Sequence, residues 1–191
     1  NGFIGLGLVA ALLKESDAEI TGFDISSNRL GAFLKEPRFH FTLGDVTKDE
    51  AWIEKAVADC DIVLPLVAIA NPAIYVKDPL LVFNIDFESN LKVVRYAVKY
   101  KKRIIFPSTS EVYGMSPDAE FNEETTPLMQ GPINKERWIY SCSKQLLDRV
   151  IYAYGTRGQL SFTLFRPFNW LGPMQDSVND HRNARGVTQF I

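Results

Sequence analysis

Short apolar segments alternate with amphipathic helical segments along most of this 191-residue sequence. The predicted strands are 19–24, 38–43, 61–66, 103–107 and 161–166, and the predicted helices are 4–13, 29–34, 49–58, 79–100 and 138–154. Strands that alternate with helices form βαβ units, in which the strands run parallel and helices cover both faces of the sheet. The pattern therefore predicts an α/β fold, a Rossmann-like doubly wound parallel sheet.

The composition argues against several other classes of protein. The net charge is −2 and the pI about 5.8, which favours neither nucleic acid nor an anionic membrane as a partner. No apolar run reaches the roughly 18 residues of a membrane-spanning helix. Cys60 and Cys142 have no CxxC or histidine neighbours, so we expect two free thiols, no metal site and a cytoplasmic protein.

Both ends of the sequence read as truncations of larger elements. Residue 1 lies inside a motif whose preceding strand is missing, and residues 187–191 read like the beginning of a helix. We therefore expect an NAD-binding Rossmann-like domain over residues 1–166 that lacks its first strand. Residues 167–191 would begin an incomplete substrate-binding portion.

The sequence opens on a glycine pair that is typical of a phosphate-binding turn. Asn1-Gly2-Phe3-Ile4-Gly5 matches the end of G-x-x-G-x-x-G. Gly2 would let the backbone approach a pyrophosphate, and Gly5 would let the helix pack against the sheet. The free N–H groups at the helix N-terminus favour a phosphate there, although half of this motif also fits an ordinary turn.

Residues after the next two strands complete a predicted dinucleotide site. Asp24 lies about 20 residues beyond the glycine turn, where a carboxylate binds the adenosine ribose hydroxyls and would repel the 2′-phosphate of NADP. Asp45 and Val46 follow the next strand and are suited to contact the adenine. Together with the glycine turn, these residues predict NAD as the cofactor.

A tyrosine and a lysine in a Y-x-x-x-K pattern form the predicted catalytic pair. Tyr140 and Lys144 would lie on one face of helix 138–154. A free tyrosine has a pKa of about 10 and is a poor base at neutral pH. A neighbouring ammonium and the positive nicotinamide lower that pKa, so Tyr140 can take a proton from a sugar hydroxyl while hydride leaves the same carbon. The Y-x-x-x-K pattern is common, so by itself it also fits a chance match.

Hydroxyl side chains follow the predicted strand 103–107. Because ligands bind at the carboxyl edge of a parallel sheet, Thr109 or Ser110 is expected to hydrogen-bond the reacting sugar oxygen and orient it towards Tyr140. The alternative is a turn rich in serine and threonine that has no catalytic role.

Taken together, these features resemble the extended short-chain dehydrogenases/reductases that act on sugar nucleotides, over essentially the whole chain. Four segments resemble one branch more specifically, the UDP-glucuronic acid decarboxylases, above all the C-terminal decarboxylase domain of ArnA-type bifunctional polymyxin-resistance enzymes. These segments are LPLVAIANPAIYVKDPL, RIIFPSTSEVYGM, NKERWIYSCSKQLLDRVIYAYG and FTLFRPFNWLGP.

The resemblance implies a reaction and an assembly. NAD would oxidise C4 of UDP-glucuronic acid, the C5 carboxylate would leave as CO₂, and a UDP-4-keto-pentose would be released for the aminoarabinose modification of lipid A. The resemblance also implies a homodimer or higher homo-oligomer that uses helices 79–100 and 138–154. A larger assembly would follow if a formyltransferase domain is fused upstream, which the sequence leaves open.

The resemblance also implies roles for single residues. Glu111 matches an acid/base residue that follows the two hydroxyls, a position where an ordinary dehydrogenase needs no carboxylate. A proton-donating arginine of these enzymes would lie beyond residue 191, and Met174–Gly186 departs from the family pattern. The residues implied to bind the substrate are Ala70, Tyr75, Thr109, Ser110, Arg137 and Asn169.

Other functions remain open at this point. A UDP-xylose synthase, a 4-epimerase and a 4,6-dehydratase all begin with the same oxidation at C4. The dehydratase is disfavoured, because it commonly has Asp-Glu directly after the threonine, where Ser110 and Glu111 follow Thr109 here. A non-catalytic NAD-binding scaffold that retained the fold is the alternative from a different class.

Overall fold

The computed structural model describes residues 1–172. These residues form an α/β fold of parallel strands flanked by helices, as predicted. The strands are β1 (Ile20–Asp24), β2 (Phe39–Leu43), β3 (Ile62–Val63), β4 (Arg103–Pro107) and β5 (Ser161–Phe165). The helices are α1 (Phe3–Glu15), α2 (Glu50–Asp59), α3 (Pro72–Lys77), α4 (Pro79–Phe83), α5 (Asn90–Lys99) and α6 (Ile139–Thr156).

The strands form two hydrogen-bonded groups. β1 pairs with β2, and β4 lies between β3 and β5, with every pairing parallel. Whether a strand before residue 1 belongs to this sheet stays a prediction, as does the division of the chain at residue 166. Residues 173–191, which include Met174–Gly186, lie outside the described residues.

The main hydrophobic core lies between β4 and helices α2, α5 and α6. Ile104 and Phe106 are two residues apart on β4, so both side chains lie on one face, and both are fully buried. They pack with Val94 of α5 and with Leu147 and Ile151 of α6. Burying each such side chain stabilises the fold by about 1.5–3 kcal/mol. No helix within residues 1–172 is long and apolar enough to cross a membrane.

Two predicted elements differ from the structure, and one helix was not predicted. The predicted helix 29–34 is wrong: a 3₁₀ turn spans Gly31–Lys35, and Gly31 has φ +47°, which an α-helix does not use. The predicted strand 61–66 shortens to Ile62–Val63, because Pro65 has no N–H for the ladder. Helix α3 was not predicted, although its first residue is a proline and the Asn71 side chain accepts from Ala73 N at 3.0 Å.

The predicted long helix 79–100 contains a π-helical turn, Asn84–Ser89, between α4 and α5. In this turn the Ser89 hydroxyl donates to Asn84 O, and Asn90 Nδ2 donates to Ile85 O, each at 3.0 Å. The most buried positions of the helix include Val82 and Asp86, both 0% exposed. The predicted apolar face is therefore only partly buried, and Leu80 at its start is 76% exposed.

Candidate active site

The segments that follow β4 and β5 meet at the carboxyl edge of the strands. Ser110 N donates to Pro167 O at 3.1 Å, so the two segments run side by side. The second segment continues through the exposed Asn169 to Gly172, where an added Cβ would lie 3.1 Å from the Phe3 ring. The end of this segment therefore lies against Phe3, which is predicted to hold the cofactor.

Helix α6 presents the predicted catalytic pair at this edge. Tyr140 and Lys144 are one turn apart, and only 7% and 2% of their surfaces are exposed. The Tyr140 ring stacks on Tyr75 with a centroid distance of 4.7 Å. Lys144 Nζ donates to Pro107 O at 3.1 Å and lies 4.7 Å from the centre of the Phe106 ring. Packing on both sides thus orients the phenol and the ammonium.

Two buried carboxylates accompany Lys144, and the sequence analysis did not single them out. Asp86 accepts a hydrogen bond from Ile69 N at 3.0 Å, and Asp148 accepts one from the Ser108 hydroxyl at 2.6 Å. Burial raises the pKa of each carboxyl group to about 6. Burial lowers the pKa of Lys144, and both carboxylates oppose that change. The spacing of Asp148 four residues beyond Lys144 was the available signal.

The segment that follows β4 forms one wall of a cavity of about 230 Å³. Thr109 Oγ1 accepts from Glu111 N at 3.2 Å and so caps a 3₁₀ turn over Ser110–Tyr113. Glu111 Oε2 lies 3.5 Å from Arg137 Nη2, and burial raises the pKa of Glu111 while Arg137 opposes this. The lining residues are Ser110, Glu111, Tyr113, Gly114, Phe121, Arg137, Trp138 and Phe168.

The glycine turn and Asp24 are neighbours, as the dinucleotide site requires. The backbone nitrogen of Asn1 lies 3.1 Å from Asp24 Oδ2. No side chain caps α1 at Gly2, and a Cβ there would meet no described atom within 4 Å. A Cβ on Gly5 would lie 4.0 Å from Leu66, which is an ordinary contact, so helix packing does not explain that glycine. The described atoms therefore leave the space beside Gly2, at the start of α1, open.

The other predicted site residues lie around this edge in different environments. Lys48 and Thr47 hold the carboxylate of Asp45 in a turn, and the Lys48 hydrogen bond is the main reason why its pKa falls to about 2. Val46 packs against the main core. Ala70 is exposed before α3. None of these residues lines the cavity beside Glu111.

The whole chain matches the model of a known protein family. The family model described as "NAD dependent epimerase/dehydratase family" matches residues 1–191. The chain belongs to the NAD-dependent epimerase/dehydratase family. The predicted cofactor NAD and the predicted Rossmann-like fold are thereby confirmed.

Solved structures place the chain among relatives within this epimerase/dehydratase family. The PbgP3 protein from Burkholderia pseudomallei is 57% identical with a TM-score of 0.88, over 93% of this chain and 53% of that one. The NAD complex of UDP-glucose 4-epimerase from Thermus thermophilus is 27% identical with a TM-score of 0.74, over 92% and 55%.

A UDP-glucuronic acid 4-epimerase from Bacillus cereus shares the fold, at 23% identity and a TM-score of 0.76, over 91% of this chain and 56% of that one. This chain therefore spans about half the length of the solved structures that it matches.

Proposed function

We propose that this family member catalyses the NAD-dependent oxidative decarboxylation of UDP-glucuronic acid to a UDP-4-keto-pentose, as a step in lipid A modification. The observation that carries the proposal is the Glu111–Arg137 pair, which lines one cavity with Ser110. Oxidation at C4 alone needs no such pair. A sugar with a carboxylate on C5 gains an ionic partner in Arg137, since a guanidinium binds a carboxylate through paired hydrogen bonds.

The first step removes a hydride from C4 of the sugar and a proton from the hydroxyl group on C4. NAD supplies the acceptor for the hydride. Tyr140 takes the proton of the C4 hydroxyl, and the Lys144 ammonium favours the phenolate that does this. Thr109 and Ser110 donate hydrogen bonds to the same oxygen and fix its distance from Tyr140. C4 becomes a ketone.

The ketone makes the second step possible. The carboxylate on C5 is now β to a carbonyl, so the bond between C5 and the carboxyl carbon breaks and CO₂ leaves. The electron pair of that bond passes to the C4 oxygen as an enolate, which Thr109 and Ser110 stabilise by hydrogen bonds. Glu111, whose pKa burial raises, acts as an acid/base group beside this centre. A proton then adds to C5 of the enolate, which balances the proton that Tyr140 took from the C4 hydroxyl and completes the UDP-4-keto-pentose.

The remaining predicted residues hold the two nucleotides. Gly2, Phe3, Ile4 and Gly5 would receive the pyrophosphate of NAD at the start of α1, and Asp24 the adenosine ribose. Asp45 and Val46 would lie beside the adenine. On the substrate side, Ala70 and Tyr75 would contact the sugar and nucleotide, and Asn169 the UDP portion. The stacking of Tyr75 on Tyr140 supports this assignment for Tyr75.

The test is product analysis with the full-length polypeptide that carries this chain. We expect UDP-glucuronic acid and NAD⁺ to yield CO₂ and NADH in equal amounts. Tyr140→Phe should keep NAD binding but lower turnover on the order of a hundredfold or more, because only the proton-accepting oxygen is lost. Tyr152→Phe is the matched control, since Tyr152 lies on the same helix and is 59% exposed.

Each other outcome points to a different function. UDP-xylose without net NADH would identify a xylose synthase, and turnover without CO₂ would exclude decarboxylation. NAD binding without turnover of any sugar nucleotide would indicate a scaffold. Unchanged turnover in Tyr140→Phe would refute Tyr140 as the base.

A further inference from the structure

The loop over residues 116–127 supplies part of the cavity wall, although it contains no helix or strand. Phe121 of this loop lines the same cavity as Arg137 and is 42% exposed. Hydrogen bonds within the loop, such as the one from Asn122 N to Thr126 Oγ1 at 2.9 Å, set the shape of its turn. They do not fix its place relative to the cavity. Contacts with the rest of the chain are needed for that.

Arg166 contacts both this loop and Tyr113, whose ring stacks on Phe121. Its Nη1 donates to Tyr113 Oη at 3.1 Å and to Glu123 O at 3.2 Å. Its Cζ lies 4.9 Å from the centre of the Tyr113 ring. Tyr113 is 3% exposed and lies on Phe121 with a centroid distance of 4.3 Å. Arg166 therefore holds the backbone two residues after Phe121 as well as the ring that supports Phe121.

Arg166 is itself anchored in the interior of the fold. It follows β5 directly, and its side chain is 16% exposed. Its Nε lies 4.0 Å from Asp148 Oδ2, and the same oxygen accepts from the Ser108 hydroxyl at 2.6 Å. Both Asp148, on α6, and Ser108, directly after β4, are buried. Because a guanidinium has five N–H donors in a rigid plane, one side can face this carboxylate while the other reaches the loop.

We propose that Arg166 is a positioning residue of the substrate site, which holds the stacked rings of Tyr113 and Phe121 in place as a wall of the cavity that takes the sugar. A wall that is already ordered raises the affinity for a ligand, because less side-chain and loop freedom is lost on binding. Arg166 does not touch the sugar; it acts through the two rings. This inference rests on the proposed sugar-nucleotide site, but it does not depend on decarboxylation.

The first test measures substrate affinity without turnover, by calorimetry with NAD⁺ and UDP-glucuronic acid in full-length Tyr140→Phe. Arg166→Met, added to this background, removes the donors and should raise the Kd about tenfold, the factor that about 1.4 kcal/mol gives. A protein that is only less stable would instead show fewer binding sites with the same Kd. The matched control is Arg157→Met, because Arg157 is exposed and donates to Ala153 O of its own helix. An unchanged Kd in Arg166→Met, or an equal rise in Arg157→Met, would overturn the proposal.

The second test needs no ligand, so it decides on Arg166 even if no variant binds UDP-glucuronic acid and the proposed substrate is wrong. A Glu-specific protease can cut the loop after three exposed residues, Glu120, Glu123 and Glu124. Without Arg166 the loop should open more often, so full-length Arg166→Met should be cut there about tenfold faster than the wild type, and Arg157→Met at the wild-type rate. Unchanged loop cleavage would refute the proposal. An equal acceleration at Glu36, outside the loop, would mean that Arg166 only stabilises the fold, and would refute it too.

Discussion

The carboxyl group of Asp148 makes the stability of this fold depend on pH. Burial raises its pKa from 3.8 to about 6, so between these values the folded chain binds more protons than the unfolded chain. The free energy of unfolding therefore falls as pH rises through this window, and the favourable contribution of the protonated form is lost above about pH 6. A shift of about 2 units corresponds to about 3 kcal/mol.

We expect Asp148→Asn to increase the free energy of unfolding at neutral pH, by up to about 3 kcal/mol. The amide resembles the protonated carboxyl, and its oxygen can still accept from the Ser108 hydroxyl. The gain should vanish near about pH 4, which urea unfolding at several pH values would reveal. Asp118→Asn, at an exposed position, should leave the pH dependence as in the wild type. If the free energy of unfolding of Asp148→Asn changed with pH as it does in the wild type, Asp148 would not be the source of this pH dependence.

The placement of site residues could be predicted from the sequence where the relevant geometry is local. Tyr140 and Lys144 lie four residues apart on one helix, and helical periodicity alone puts them on one face. The Glu111–Arg137 contact joins residues 26 positions apart across a loop that has no periodic pattern. Asp86 accepts from Ile69 N across 17 positions of the chain. Such contacts depend on the path of the chain in space, which spacing does not encode.

At the scale of elements, helices α2 and α5 are joined by a repeated polar contact. Two glutamates of α2, one turn apart, each accept from a lysine and a tyrosine at distances between 2.5 and 2.9 Å. The lysine hydrogen bond is the main reason why the pKa of each glutamate is lowered. The two sets are Glu50 with Lys92 and Tyr96, and Glu54 with Lys99 and Tyr100.

Removal of the Tyr96 hydroxyl should slightly weaken this polar contact between α2 and α5. The hydrogen bond to Glu50 raises the pKa of Tyr96 to about 12, so its stabilisation is present at neutral pH and lost only as pH rises through that value. Because the contact is at the surface, Tyr96→Phe should lower Tm by about 1–3 °C at neutral pH. Tyr152→Phe, whose side chain packs edge-on to Phe162, is the control for loss of a hydroxyl. An equal fall of Tm in Tyr96→Phe and Tyr152→Phe would show that the contact between α2 and α5 does not stabilise the fold.

The helices and strands were predicted correctly where apolar periodicity is regular. They were predicted wrongly where a proline or a change in the backbone hydrogen bonds interrupts the element. Apolar periodicity located β4 and α6 to within a few residues. The missing N–H of Pro65 shortened β3, and part of the long helix forms a π-helical turn in which side chains bond to backbone carbonyls. A π-helical turn changes which residues face inward, so an apolar face drawn for a regular helix cannot locate Asp86.

At the scale of the whole molecule, apolar side chains remain exposed on the two longest helical segments. Leu80 at the start of α4 is 76% exposed, and Leu146 on α6 is 48% exposed. Phe83 and Phe87 stack on each other on the partly buried face of the first segment. These are the helices that the sequence analysis predicted to form a homodimer interface, and exposed apolar side chains are what such an interface would cover.

We expect the full-length protein to be a homodimer in light scattering and Leu146→Glu to dissociate it. In a two-fold interface each residue occurs twice, so one substitution would bury two carboxylates, each without a partner. The apparent dissociation constant should therefore rise on the order of a hundredfold or more, since two penalties of about 1.4 kcal/mol already give that factor. Leu34→Glu is the matched control, because Leu34 is 49% exposed but lies in the 3₁₀ turn after β1. A dimer that survives Leu146→Glu, or that Leu34→Glu disrupts equally, would locate the interface elsewhere.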